Sequence, residues 1–194
     1  MVLLIDNYDS FSYNLVQLVG KILKEQGDEE VKVIRNDDLT VEEIDSLSPR
    51  IIILSPGPGR PCDAGVCEDV VRKLGEKYPI LGICLGHQAI CEVFGATITY
   101  AKTLMHGKQS EITYVADPLF ANLSSRPTVA RYHSLAADEK SIPGDIRVLA
   151  TTTDGEIMAV RHRIWQIYGM QFHPESVLTP EGEQMMKNFI NITK

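Results

Sequence analysis

A chain of 194 residues with 44% hydrophobic and 23% charged residues has an ordinary globular composition and is long enough to bury a core without staples. A net charge of −7 with no strongly basic stretch argues against nucleic acid as the main partner. No apolar run approaches the ~18 residues of a membrane span, and four cysteines (Cys62, Cys67, Cys84, Cys91) without a C-x-x-C pair argue against zinc or a disulfide framework, so a reducing, cytoplasmic setting is expected.

Val2–Asp6 opens the chain as a continuous apolar run, as expected of a central parallel strand. It lacks a basic n-region, so it is not read as a signal peptide. Tyr13–Lys24 carries an apolar stripe at helical spacing and stops at Gly27. Val31–Arg35 is a second strand, and Thr40 with Glu43 forms a T-x-x-E capping box over a short helix. Ile51–Leu54 is a third strand that runs into the loop SPGPGRPCDAG, followed by a helix over Val66–Lys77. Ile80–Ile83 is the fourth strand and leads at once into a helix over Leu85–Phe94, ended by Gly95.

The second half reads differently. Ala96–Tyr100, Ser110–Val115, Thr128–Tyr132, Ile146–Thr153, Ile157–His162 and Ile167–Phe172 are strands joined by short turns, with Asp154-Gly155 as a hairpin signal. A closing helix is expected with Thr179 as N-cap, Pro180 at N1, and Glu181 and Glu183 near the positive end of its dipole. No repeat or linker interrupts the chain, so residues 1–194 are read as one domain. The fold class is α/β: an open, mostly parallel central sheet flanked by helices, with an added antiparallel region.

Gly82-Ile83-Cys84-Leu85-Gly86 has the form G-x-C-x-G between a buried strand and a helix, the thiol version of a nucleophile turn. Small flanking residues let strand and helix approach. The helix N-terminus favours a thiolate on Cys84, and the N–H groups just after it can stabilise an oxyanion. Five residues alone would suit a buried structural cysteine equally well; the strand–turn–helix context favours the nucleophile. Cys91 reads as packing, and Cys62 and Cys67 receive no role.

A cysteine nucleophile needs a base that later protonates the leaving amine. His173 stands at a strand end beside Pro174 and Glu175, so Glu175 can hold its imidazole in one tautomer. Of the other histidines, His162 between two arginines reads as a solvated charged turn, and His87, behind Cys84, as structural.

GICLGHQ at 82–88, SPGPGRP at 55–61 and MQFHPES at 170–176 together resemble the class I (triad) glutamine amidotransferase family. The resemblance implies that family's flavodoxin-like fold and a catalytic set of Cys84, His173 and Glu175. It implies an oxyanion hole from Gly57 and Leu85, and glutamine contacts at Gly57, Pro58, Gly59, Gln88, Ser134 and Leu135. Bottom-up, Gly57 and Gly59 allow backbone to approach a ligand, while SPGPG is also simply a rigid turn, and Gln88 is also simply a polar helix-surface residue.

IDNYDSFSYN at 5–14, LMHGK at 104–108 and ARYHSL at 130–135 further resemble the branch that serves chorismate-using synthases. This implies a partner synthase subunit, with anthranilate synthesis (tryptophan) as the first reading and aminodeoxychorismate synthesis (folate), or service to both, as the alternative. No cofactor is implied in this chain; magnesium belongs to the partner. With the chain closing at Lys194, ammonia is expected to leave for another polypeptide. The docking surface is expected around Cys84 with His106, Gly107, Lys108 and Arg131, against the simpler reading of LMHGK as a solvated turn. Two other readings stand beside these. One is a stand-alone thiol hydrolase or γ-glutamyl peptidase. The other is a non-enzymatic regulator, which an intact Cys84, His173 and Glu175 disfavours.

Overall fold

A central strand buried on both faces needs apolar residues at every position, and β1 (Val2–Asp6) has them. Val2 and Leu4 pack on one face with α1 (Ser12–Glu25) and the C-terminal helix; Leu3 and Ile5 pack on the other. The computed structural model describes residues 1–27, 30–103 and 107–193.

β1 pairs in parallel with β2 (Val31–Arg35) and β3 (Ile51–Leu54), and β3 with β4 (Ile80–Ile83). Between them run α2 (Val41–Ser46) and α3 (Cys67–Leu74), and α4 (Leu85–Val93) follows β4. The capping box at Thr40 forms as expected: its hydroxyl accepts from Glu43 N at 3.2 Å, and Glu43 Oε2 accepts from Thr40 N at 2.8 Å. α3 is shorter than the expected 66–77. It gives way at Gly75, a poor helix former packed against Val71 and Ile167, with Pro79 close behind.

The second half supplies β5 (Ile98–Tyr100), β6 (Lys108–Tyr114), β7 (Thr128–Arg131), β8 (Leu135–Ala137), β9 (Ile146–Thr152), β10 (Ile157–His162) and β11 (Ile167–Met170). The main sheet has nine strands in the order β2-β1-β3-β4-β11-β10-β9-β6-β7, while β5 and β8 form a separate antiparallel ribbon. β11 returns to pair in parallel with β4, with Gly169 opposite Gly82 and Met170 opposite Ile83; beyond β11 every pairing is antiparallel. The expected fold class is therefore the observed one. β8 has no signal in the sequence, because Leu-Ala-Ala after a serine carries no period.

The chain ends in α5 (Gly182–Ile192), whose Met185, Met186, Phe189 and Ile190 cover the same sheet face as α1. The expected N-cap is corrected: α5 starts at Gly182, and Thr179 does not cap it. The Thr179 hydroxyl instead accepts from Ala130 N at 2.9 Å and donates to His173 O at 2.7 Å. It has been diverted from helix start to site construction.

Candidate active site

Cys84 stands between β4 and α4 with φ 51° and ψ −99°. Such backbone stores on the order of 1–3 kcal/mol and survives only where the surroundings over-determine it. Here the surroundings are the two glycines. A Cβ on Gly82 would lie 2.3 Å from the Gly86 carbonyl group, and one on Gly86 would lie 2.5 Å from Leu54 O. The strand and helix therefore touch backbone to backbone, and the sharp turn is the only route between them. Cys84 N donates to Met170 O at 2.8 Å, tying the turn to β11.

His173 follows β11 by three residues. Its backbone N–H donates to Ala130 O at 3.1 Å. Its Nδ1 lies 2.7 Å from Glu175 Oε1, and both side chains are buried. A carboxylate only accepts, so Nδ1 carries a proton and Nε2 is the end left for Cys84. Among the described residues neither Nε2 nor Glu175 Oε2 has an ordinary hydrogen-bond partner. Burial alone would lower the His173 pKa; its interactions with Cys84 and then Glu175 outweigh this and push it up to about 10. An imidazolium beside the sulfur is therefore the resting form near neutral pH. Phe11 and Tyr132 close over the ring edge-on, with centroids 6.1 and 5.1 Å from His173.

The SPGPG loop is pinned from β1. Asn7 N donates to Ser55 Oγ at 2.8 Å and Asn7 Nδ2 to Ser55 O at 2.9 Å, while Asn7 Oδ1 accepts from Asn36 and from the Cys67 thiol. Gly57 is pressed so tightly that a Cβ would sit 2.5 Å from Asn7 Cβ and 2.9 Å from Leu85 Cδ2. Among the described residues the backbone N–H groups of Gly57 and Leu85 make no hydrogen bond, so both donors are open. Sequence reasoning misses Asn7; the available signal is a polar residue directly after an otherwise apolar strand.

A cavity of about 170 Å³ opens on the sulfur, lined by Gly57, Pro58, Gly59, Cys84, Gln88 and the stretch Tyr132–Leu135. It brings together every residue expected to contact glutamine. Gln88 is not a helix-surface residue: it is buried, and its Nε2 donates to Leu135 O at 2.9 Å and Gln171 Oε1 at 3.1 Å. Tyr132 and His133, which sequence reasoning places only in the ARYHSL segment at the expected docking face, join the glutamine site, as does Gln171, to which it gives no role. Ser134 is exposed on the cavity rim, and its carbonyl accepts from Ala101 N at 2.8 Å.

Two further expectations change. Arg131 is 1% exposed and is paired with buried Glu156, so it cannot present a docking surface. His162 is not a solvated turn residue: it is buried, stacked on Trp165 with centroids 4.6 Å apart, and its Nδ1 accepts from Trp165 N. Gly107 and Lys108 are exposed as a docking face requires, whereas His106 lies outside the described residues. Cys91 is buried packing as expected, and His87 is enclosed, with Gly169 making room for its ring.

Burial holds His87 down to about 3 and, with the Arg131 charge, His133 down to about 4. Both stay neutral in the fold but charge in the unfolded chain below 6.5. The unfolded state then binds more protons, so stability falls as pH drops through that window. His173 does not offset this: with a raised pKa, its contribution is complete below 6.5 and lost only as pH rises through about 10. Denaturant unfolding at about pH 7 and about pH 5 is expected to differ by on the order of 3 kcal/mol. Equal stability at both would show that the two rings are not buried neutral.

Known proteins resemble this chain in sequence and in fold. The family model described as "Glutamine amidotransferase class-I" matches residues 3–192. A bifunctional protein of Thermotoga maritima, named TrpGD, is 48% identical over 98% of this chain, which spans 32% of that relative. The Bacillus subtilis aminodeoxychorismate/anthranilate synthase component 2 is 46% identical over 98% of this chain and 95% of the relative. The crystal structure of a glutamine amidotransferase from Thermotoga maritima has the same fold, with a TM-score of 0.78 at 15% identity, covering 99% of this chain and 96% of that one.

Proposed function

The chain belongs to the class-I glutamine amidotransferase family, and we propose that it releases ammonia from L-glutamine and delivers it to a chorismate-using synthase, anthranilate synthase first. The observation that carries this is the strained Cys84 elbow, which lines the cavity of about 170 Å³ and is set beside the buried His173–Glu175 pair.

The Cys84 sulfur attacks the carboxamide carbon of glutamine. Negative charge moves to the carbonyl oxygen and is met by the N–H groups of Gly57 and Leu85, each such donor being worth about 2.7–4 kcal/mol in the transition state. As the tetrahedral adduct collapses, the C–N bond breaks and His173 Nε2 gives its proton to the departing nitrogen, so ammonia leaves and a γ-glutamyl thioester remains. Neutral His173 then takes a proton from water, whose oxygen attacks the thioester. A second collapse releases glutamate and restores the Cys84 sulfur. Glu175 keeps Nδ1 protonated throughout, so Nε2 always faces the reaction. Side chains and backbone supply every step; magnesium is assigned to the partner synthase.

The partner's docking face is read as the rim above His173. Tyr8, Phe11 and Tyr13 are exposed there on the IDNYDSF segment and just after it, and Gly107 and Lys108 are exposed in the chain's second half. Phe11 leans on Tyr132, 5.4 Å between centroids, so a partner bound to this segment touches the wall of the glutamine cavity.

The Bacillus subtilis relative's name joins both chorismate products, which keeps service to two synthases as the second reading. Product analysis with chorismate, glutamine and each candidate synthase decides. Glutamine-dependent anthranilate supports the first reading. Aminodeoxychorismate alone moves the chain to folate synthesis. Glutamine hydrolysis with neither product made would point to a stand-alone hydrolase.

A further inference from the structure

Gln171 is fully buried and takes no step in the scheme above, yet it joins the cavity wall to the sulfur. Its backbone is locked by Gln171 N donating to Met158 O at 2.8 Å, so only the side chain has freedom.

The direction of the side-chain hydrogen bonds here is fixed from one end. Arg131 is donor-only, so His133 Nε2, 3.2 Å from Arg131 Nε, accepts. The remaining proton sits on His133 Nδ1, which donates to Leu135 O at 2.9 Å. That carbonyl accepts only, so the amide group of Gln88 must turn its NH₂ toward it. The same NH₂ lies 3.1 Å from Gln171, whose near atom must then be oxygen. The Gln171 NH₂ is left facing Cys84 Sγ at 3.7 Å. Reversing either amide alone would set two like groups against each other.

We propose that Gln171 is a positioning residue that donates to the Cys84 thiolate, holding the sulfur at its attack position and tying it to Gln88 in the cavity wall. The proposal rests on Cys84 being the nucleophile. A thiolate in a buried site needs donors. The His173 Nε2 proton is the one the proposed scheme consumes as the acid; Gln171 supplies a donor that stays in place. Its partner Gln88 shares one NH₂ between Leu135 and Gln171, so glutamine entering against Gln88 is felt at the sulfur.

The test reads the thiolate directly, through the pH profile of Cys84 alkylation by iodoacetamide and its ultraviolet absorbance. Gln171→Met keeps length and volume but removes the donor. The alkylation midpoint is expected to rise by about one pH unit, a tenfold loss of thiolate at a fixed pH below both midpoints, with a comparable fall in kcat and little change in KM. Gln88→Met, scored on alkylation alone, frees Gln171 to turn and is expected to give a smaller rise. An unmoved midpoint in a Gln171→Met protein with wild-type unfolding overturns the proposal. Should that variant not fold, an unmoved midpoint in Gln88→Met overturns it. The underlying reading fails differently: wild-type glutamine turnover would then survive complete alkylation of Cys84.

Discussion

Replacing Cys84 by alanine is expected to reduce glutamine-dependent product formation at least about 10⁴-fold while leaving ammonia-dependent formation by the assembled complex unchanged. The expectation follows from the geometry at the elbow. Alanine keeps a Cβ at φ 51° and disturbs neither glycine contact, so the fold and the partner surface persist. What disappears is the atom that forms the thioester, and no neighbouring residue offers a substitute: Cys91 is buried toward the far end of α4 with its thiol pushed up to about 12 by burial, and Cys67 is likewise held at about 12. The measurement is product formed from chorismate with glutamine or with ammonium salt, using equal amounts of this chain and the synthase. Retained glutamine use would mean that His173 and Glu175 serve another nucleophile. Loss of ammonia use as well would mean that Cys84 shapes the docking face rather than the chemistry.

The second large effect is on stability. Arg131 and Glu156 form an ion pair whose side chains are 1% and 2% exposed. Glu156 also accepts from Lys102 N at 2.7 Å, and Arg131 also donates to Ser110 and His133. Glu156→Gln leaves the guanidinium buried without its countercharge and is expected to cost about 3–5 kcal/mol in denaturant unfolding. Arg131→Met together with Glu156→Leu removes both charges and is expected to recover most of that loss, because the desolvation penalty goes with the charges. If the double variant is as unstable as the single, the pair contributes shape rather than charge compensation. The pair also fixes the tautomer of His133, so even the stable double variant is expected to bind glutamine more weakly.

Much of this molecule is legible in its residues. β1, β3 and β4 appear at the bounds that apolar runs mark out, because a strand packed inside a parallel sheet leaves little room for another pattern, and β2, the mixed VKVIR strand at the sheet edge, also keeps its expected bounds. The Thr40–Glu43 box, the Gly95 stop and the elbow are equally local, each set by a few contacts along the chain. The misreadings share a physical cause. Arg131 reads as a surface charge until β6, β7 and β9 stand side by side, since its pairing with Glu156 spans 25 residues. Gln171 carries no local signal at all: its meaning lies 87 residues away, at Cys84. Thr179 has the right neighbours for a cap, but a stronger demand from Ala130 and His173 takes its hydroxyl. His162 is recoverable from the sequence, since strand alternation puts it on the same face as Val160, but the flanking arginines obscure the period.

The pairing of β4 with β11 has a consequence for how the molecule comes into being. The nucleophile belongs to the strand–helix alternation of the first half, which assembles through neighbours in sequence. The base arrives only when β11 inserts beside β4, with Gly169 opposite Gly82, after the whole antiparallel half has been laid down. Loop closure over such a distance is slow compared with local pairing. A refolding chain is therefore expected to regain helical signal before it regains a reactive Cys84 with His173 beside it. During synthesis, a nascent chain that has not yet reached β11 holds Cys84 without His173, so no partly made molecule hydrolyses glutamine.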